Sequence, residues 1–230
     1  MRRLPIEQNT DIWYDFRRYR LGGSKVKGTK PLSRGKYKGL AEGAAGFWKL
    51  ISERLSLPKD GEDERERGHR LEMRALELTN QKYGLSFVKG MIWQSEENER
   101  LYISPDGEDP NDLTIAQETK AFDPDKQLRI MWEDTQAKKL EGYRPFDSIP
   151  EDNKEQAIHY FNVNPDLQKL YWVLISDLVA YEELEHYCLI IERKTIEEEI
   201  AQQKQVEKVV LQRTDQIVRE LVDTFVKGGN

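Results

Sequence analysis

Two short stretches carry residue types that can do chemistry together: Ser104-Pro105-Asp106-Gly107, and Gln117-Glu118-Thr119-Lys120 eleven residues further on. The second lies in a β-rich segment. Side chains alternate along a strand, so Glu118 and Lys120 share one face while Thr119 points to the other. A hairpin joining residues 100–104 to 113–120 brings Asp106 beside Glu118. Two adjacent carboxylates and the main-chain carbonyl of Thr119 form a hard, all-oxygen donor set that suits Mg²⁺. Lys120, on the same face, can orient an attacking water or stabilise charge building on a phosphate. The same residues also have a plain reading: Pro-Asp-Gly is a common turn, and Glu-x-Lys is a common exposed strand pair.

Other chemistries drop out. There is no G-x-x-x-x-G-K-[ST], no G-x-G-x-x-G after a strand and no G-x-S-x-G. His69, His159 and His186 are far apart and lack zinc-site spacing, so each reads as a surface or internally satisfied histidine. The single cysteine, Cys188, excludes a disulfide framework, a multi-cysteine zinc site and a four-cysteine iron–sulfur cluster.

The elements that must position these residues follow from periodicity and turn signals. Residues 11–24 read as a helix ending at Gly22-Gly23, residues 25–40 as a basic loop, and 41–56 as a helix. A further helix spans about Glu64 to Tyr83. Segments 85–94, 100–104 and 113–120 read as three strands of a meander or a mixed sheet. Residues 121–153 read as irregular with Trp132 as an isolated anchor, about 165–183 as a helix, 186–193 as a strand, and 195–227 as a long helix with an apolar stripe from Ile196 to Phe225. This order describes one α/β domain over residues 1–230, with helices on both sides of a small mixed sheet.

At 230 residues the chain suits one substantial core, and its five Trp, ten Tyr and seven Phe argue against disorder. No run approaches 18 apolar residues, and no apolar stretch follows the basic start MRRLPIEQNT. Neither a membrane span nor a secretory signal is expected, and a reducing, cytoplasmic setting fits. The net charge of −6 conceals an asymmetry: residues 1–40 carry +8 and the remainder −14. A basic segment on an acidic body suits a polyanion-binding edge, and it equally suits a solvated arm.

Five blocks in order resemble the YqaJ-type viral recombinase family, the λ-exonuclease-like branch of the PD-(D/E)xK nucleases. They are Trp13-x-x-x-Arg17 with Leu21-Gly22-Gly23-Ser24, Arg67-Gly68-x-x-x-Glu72-x-x-Ala75, Ser104-Pro105-Asp106-Gly107, Glu118-Thr119-Lys120, and Gln168-x-x-x-Trp172. The resemblance implies a restriction-endonuclease-like core with a small mixed sheet flanked by helices and a long C-terminal helix. Asp106 and Glu118 become metal ligands with the Thr119 carbonyl, and Lys120 the catalytic lysine. Glu72 completes the acidic cluster and Gln168 positions a ligand group or the lysine. Arg17 and Ser24 bind the 5′ phosphate, assisted by Ser104; an arginine and a hydroxyl beside exposed Gly-Gly amides make a reasonable phosphate cradle. The interval from Lys120 to Gln168 is longer than is usual in the family and reads as an added loop beside the DNA.

The implied activity is a Mg²⁺-dependent 5′→3′ exonuclease, with Mn²⁺ as a substitute, degrading one strand of double-stranded DNA from its end in phage-type recombination by strand annealing. The implied partners are duplex ends, a single-strand annealing protein and further copies of the chain in a closed ring, with a trimer favoured; the implied setting is the cytoplasm of a bacterial host. Two rivals stand beside it: an endonuclease of the same superfamily, and a non-catalytic DNA-binding module on a nuclease-like fold.

Overall fold

The computed structural model describes residues 1–8, 10–18, 20–26, 64–122, 124–177, 179 and 181–227. In chain order its main elements are β1 (Arg2–Leu4), α1 (Asp11–Arg18), β2 (Leu21–Gly22), α2 (Gly23–Val26), α3 (Glu64–Tyr83), β3 (Val88–Lys89), β4 (Ile92–Gln94), β5 (Leu101–Ile103), β6 (Gly107–Asp109), β7 (Asp112–Ala121), α4 (Pro124–Ala137), α5 (Glu151–Val163), β8 (Lys169–Ile175), β9 (His186–Glu192) and α6 (Glu197–Val222). The helix expected over 41–56 and most of the basic loop lie outside the described residues.

The strands form two mixed sheets where the sequence suggested one. β1, β4, β5 and β2 make a four-stranded sheet in that order, and β3, β6, β7, β8 and β9 a five-stranded one. The expected meander is therefore divided: β4 and β5 join the first sheet, while β6 turns back antiparallel onto β7 in the second. β7 and β8 run parallel, which requires a long crossover; α4 and α5 supply it.

That crossover corrects two readings. Residues 121–153 are not irregular throughout, since they hold α4 and the start of α5, and the interval from Lys120 to Gln168 is not an added loop, since it holds both helices. Trp132 anchors nothing, being 66% exposed on α4. Residues 165–183 are not a helix, because Lys169–Ile175 is the inner strand β8. In so apolar a run, helical and extended periods both find matches, and burial on two faces decides. Leu170, Trp172 and Leu174 pack into the main core with Ala157, Ile158 and Phe161 of α5 and Val210 and Leu211 of α6. Tyr171, Val173 and Ile175 face the other way, onto Leu71, Ala75 and Leu76 of α3. Each such fully buried side chain stabilises the fold by about 1.5–3 kcal/mol relative to exposure.

The helix expected from Glu64 to Tyr83 and the strand expected over 186–193 match α3 and β9 closely. α6 matches the long terminal helix and gives way to a π turn over Asp223–Lys227. Its Ile200, Val210 and Leu211 lie in the core and Ile217 and Leu221 pack against it, whereas Phe225 beyond its end is 76% exposed. No helix among the described residues is long and apolar enough to cross a membrane.

Candidate active site

The β6–β7 hairpin places Asp106 where the sequence pattern required. The Asp106 amide donates to the Gln117 carbonyl (3.1 Å), and the Thr119 amide donates to Asp106 Oδ2 (2.7 Å). Two glycines make this close fit possible. A Cβ on Gly107 would stand 2.4 Å from Leu76 Cδ2, so glycine lets α3 settle on the hairpin. A Cβ on Gly90 would stand 2.2 Å from the Pro105 carbonyl oxygen. The turn that carries Asp106 is thus clamped from both sides, and α3 comes close enough for the charge of Glu72 to act on Asp106.

On β7, Glu118 and Lys120 share a face as the alternation demands, and Lys120 Nζ donates to Glu118 Oε1. Thr119 lies on the opposite face, where its hydroxyl accepts from Gln117 (3.0 Å). Glu118 is almost fully buried and needs further partners. α5 provides them: Gln156 Nε2 donates to Glu118 Oε1 (2.6 Å), and the Tyr160 hydroxyl donates to Oε2. The ammonium of Lys120 also sits 5.2 Å from the centre of the Trp172 ring.

These two α5 residues were not singled out in the sequence; Gln168 was. The structure places Gln168 at the exposed start of β8, with its side chain turned to the carbonyl of Asp166 (3.1 Å), outside the cluster. Both glutamines sit four residues before an aromatic, Gln156-x-x-x-Tyr160 and Gln168-x-x-x-Trp172. On a helix that spacing brings the two side chains within one turn of each other, whereas along a strand it leaves them about 13 Å apart. The available signal was Pro150 followed by Glu151 and Asp152, a helix start with acidic residues in the first turn.

A cavity of about 280 Å³ opens above these groups, lined by Asp106, Glu118, Lys120, Glu72, Gln156 and Tyr160 at one end. Arg17, Ser24 and Ser104 line the same cavity. Arg17 donates to the Ser24 hydroxyl (2.7 Å) and to the Tyr102 hydroxyl (3.1 Å), and its guanidinium stacks 4.0 Å over the Trp13 ring. The Trp13 indole donates to the Ser104 hydroxyl (3.3 Å). A stacked guanidinium beside two hydroxyls is chemically a phosphate cradle. The structure thus gathers Asp106, Glu118, Lys120, Glu72, Arg17, Ser24 and Ser104 around one cavity.

The electrostatics of the acidic end are unbalanced. Burial, together with the charges of Glu118 and Glu72, holds the Asp106 carboxyl well above the usual range, against the opposing pull of Lys120 and the Thr119 amide. Burial and the same carboxylates also push the Tyr160 phenol up, so it remains a donor. α5 is pinned from behind by His159. Its Nδ1 faces Glu207 of α6 (2.8 Å) and its Nε2 faces the Tyr102 carbonyl of β5 (3.0 Å). Burial lowers the His159 pKa, but Glu207 and the carbonyl outweigh it and the net shift is upward. Two acceptors on two ring nitrogens require the imidazolium. Each of the three histidines has a partner among the described residues: His159 pairs with Glu207, His186 with Thr79, and His69 with Glu72.

A mixed α/β sheet thus carries Asp106, Glu118 and Lys120 from one hairpin. No family model and no curated protein matches the chain, but solved structures do. An alkaline exonuclease (LHK-Exo) from Laribacter hongkongensis is similar over 95% of this chain and 99% of its own, with a TM-score of 0.70 and 17% identity. The same enzyme in complex with dAMP matches over the same shares, with a TM-score of 0.68 and 20% identity. A phage-related exonuclease from Haemophilus somnus 129PT matches over 88% of this chain and 96% of its own, with a TM-score of 0.61 and 16% identity. The fold is therefore that of the alkaline and phage-related exonucleases, as the resemblance to the λ-exonuclease-like branch implied.

Proposed function

We propose that this chain is a Mg²⁺-dependent deoxyribonuclease that degrades one strand of duplex DNA 5′→3′ from an end, with Mn²⁺ able to substitute. The observation that carries the reading is a single cavity lined both by two carboxylates with a lysine and by an arginine–serine cradle. The donor chemistry fits a hard divalent ion: Asp106 and Glu118 offer carboxylate oxygens, and the buried Gln156 Oε1 has no hydrogen-bond partner among the described residues. Among the described residues no three acidic, His or Cys side chains converge to hold an ion unaided, so the Thr119 carbonyl and water complete the set.

A bound divalent ion supplies Lewis-acid stabilisation of charge on the phosphate and lowers the pKa of water. The protein supplies position. Arg17, Ser24 and Ser104 hold the terminal 5′ phosphate and thereby set the next phosphodiester over Asp106 and Glu118. Gln156 and Tyr160 fix the Glu118 carboxylate in rotation, and Lys120 orients the attacking water. The water oxygen bonds to phosphorus, the bond from phosphorus to the leaving 3′ oxygen breaks, and that oxygen takes up a proton. The resemblance extends the reading to recombination by strand annealing in a bacterial host, with an annealing protein as partner and a homo-oligomeric ring, a trimer, around duplex DNA.

The test is digestion of one plasmid, as closed circle and as linear 5′-phosphorylated duplex, with Mg²⁺ and with EDTA. Loss of linear DNA alone, and only with Mg²⁺, is expected. Cutting of the closed circle would establish an endonuclease, and no metal-dependent loss of either form would leave a DNA-binding module.

A further inference from the structure

A second cavity, of about 310 Å³, adjoins the first. Gln8, Glu72 and Asp106 line both. The cradle residues Arg17, Ser24 and Ser104 belong only to the first, while Met73, Leu76 and Lys89 belong only to the second. The acidic cluster therefore separates two spaces of different chemistry. On one side are a stacked guanidinium and hydroxyls. On the other, carbon predominates, with Met73 49% exposed on α3 and a cation at the rim. Of the basic groups there, Arg70 is engaged with Asp177 (2.6 Å) and His69 with Glu72 (2.9 Å). The side chain of Lys89, exposed on β3, has no ion-pair or hydrogen-bond partner among the described residues.

A carbon-lined cavity with half-exposed Met73 over the buried Leu76, next to an unengaged cation, suits a nucleobase followed by a phosphate, the base covering carbon and the phosphate meeting the ammonium. The order of the two cavities gives the direction. With a 5′ phosphate in the cradle and the scissile phosphate at Asp106 and Glu118, the strand continues on the far side of those carboxylates. We propose that the second cavity is a binding site for the nucleotide on the 3′ side of the scissile phosphate, its base against Met73 and Leu76 and its following phosphate on Lys89. This rests on the exonuclease reading above and adds to it a second point of grip, one that keeps the shortened strand bound after the first nucleotide leaves.

The test uses the whole chain and 5′-phosphorylated duplexes bearing an abasic residue at the second or, as control, the fifth nucleotide from the 5′ end. Affinity is read with Ca²⁺ across a salt series, and first-bond cleavage is read with Mg²⁺. The second-position lesion is expected to weaken affinity and slow cleavage by about tenfold relative to the control, the scale of losing one buried apolar contact. Met73→Ala is expected to abolish most of that difference. Lys89→Ala should reduce the slope of log affinity against log salt by about one. Both side chains are exposed, so neither variant threatens folding. Equal handling of the two lesions, or an unchanged salt slope in Lys89→Ala, would overturn the site. If the lesion and Lys89 govern affinity but no bond is hydrolysed, the exonuclease reading fails and the nucleotide site stands. If ends are hydrolysed with indifference to both, the reverse holds.

Discussion

Asp106 and Asp134 are two aspartates enclosed by the same fold, and they are treated in opposite ways. Asp134 on α4 is fully buried and saturated with donors: Oδ1 accepts from the Tyr143 hydroxyl (2.6 Å), and Oδ2 from Tyr187 (2.5 Å) and Lys138 (2.7 Å). Burial alone would raise its pKa, but these donors outweigh burial and lower it. Asp106 takes one amide hydrogen bond and faces two other carboxylates, and its pKa rises. A carboxylate that the protein itself neutralises is structural. One left under-donated among like charges, beneath an open cavity, is what the proposed cation site calls for.

The sharpest way to break this contrast is to remove the poised group. Asp106→Ala and Lys120→Ala are each expected to lower cleavage of linear duplex by about 10³-fold or more while leaving a cooperative thermal transition. The two aspartates should also have opposite stability signatures. Asp134→Ala strands two tyrosine hydroxyls and an ammonium, and is expected to cost about 3 kcal/mol in denaturant unfolding. The parent's benefit from Asp134 should be complete above the unfolded carboxylate value of about 3.9 and vanish as the pH falls through the lowered native value. Asp106 carries the other sign: in EDTA its ionisation in the fold costs stability as pH rises above about 3.9. Asp106→Asn at pH 7 should therefore melt at or above the parent temperature. A lower melting temperature would refute the like-charge argument.

Smaller effects separate the two glutamines. Gln156→Ala and Tyr160→Phe loosen Glu118 and are expected to reduce activity by about 10- to 100-fold, the usual cost of removing a group that orients a ligand. Gln168→Ala, at the exposed edge of β8, should stay within about twofold of the parent, since a surface change of this kind perturbs little. Smallest in absolute rate is Arg17→Ala, expected to erase most of any preference for 5′-phosphorylated over 5′-hydroxyl ends. Equal handling of both ends by the parent would remove the cradle's assigned role.

How far the site was legible in the sequence depended on how local its geometry is. Asp106, Glu118 and Lys120 belong to one hairpin, so alternation and a turn were enough to bring them together. Glu72 lies on a helix whose buried and exposed faces alternate clearly. The α5 residues were hidden for a physical reason: nine of its thirteen residues are buried, among them Asn153, Gln156, His159 and Asn162, so it shows no polar face to mark it as a helix. β8, covered by α3 on one side and by α5 and α6 on the other, likewise lacks the alternation that identifies a half-exposed strand. Misreading β8 as a helix is what made Gln168 and Trp172 look like neighbours one helical turn apart. The division into two sheets depends on long-range pairings such as β2 with β5 and β1 with β4, which no local pattern encodes.

The central claim is that Asp106 and Glu118 await a divalent ion, and Mn²⁺ binding followed by electron paramagnetic resonance tests it without DNA or catalysis. The account expects the parent and Gln168→Ala to bind Mn²⁺ alike, and Asp106→Asn to bind it at least tenfold more weakly. Undiminished binding by Asp106→Asn would contradict it.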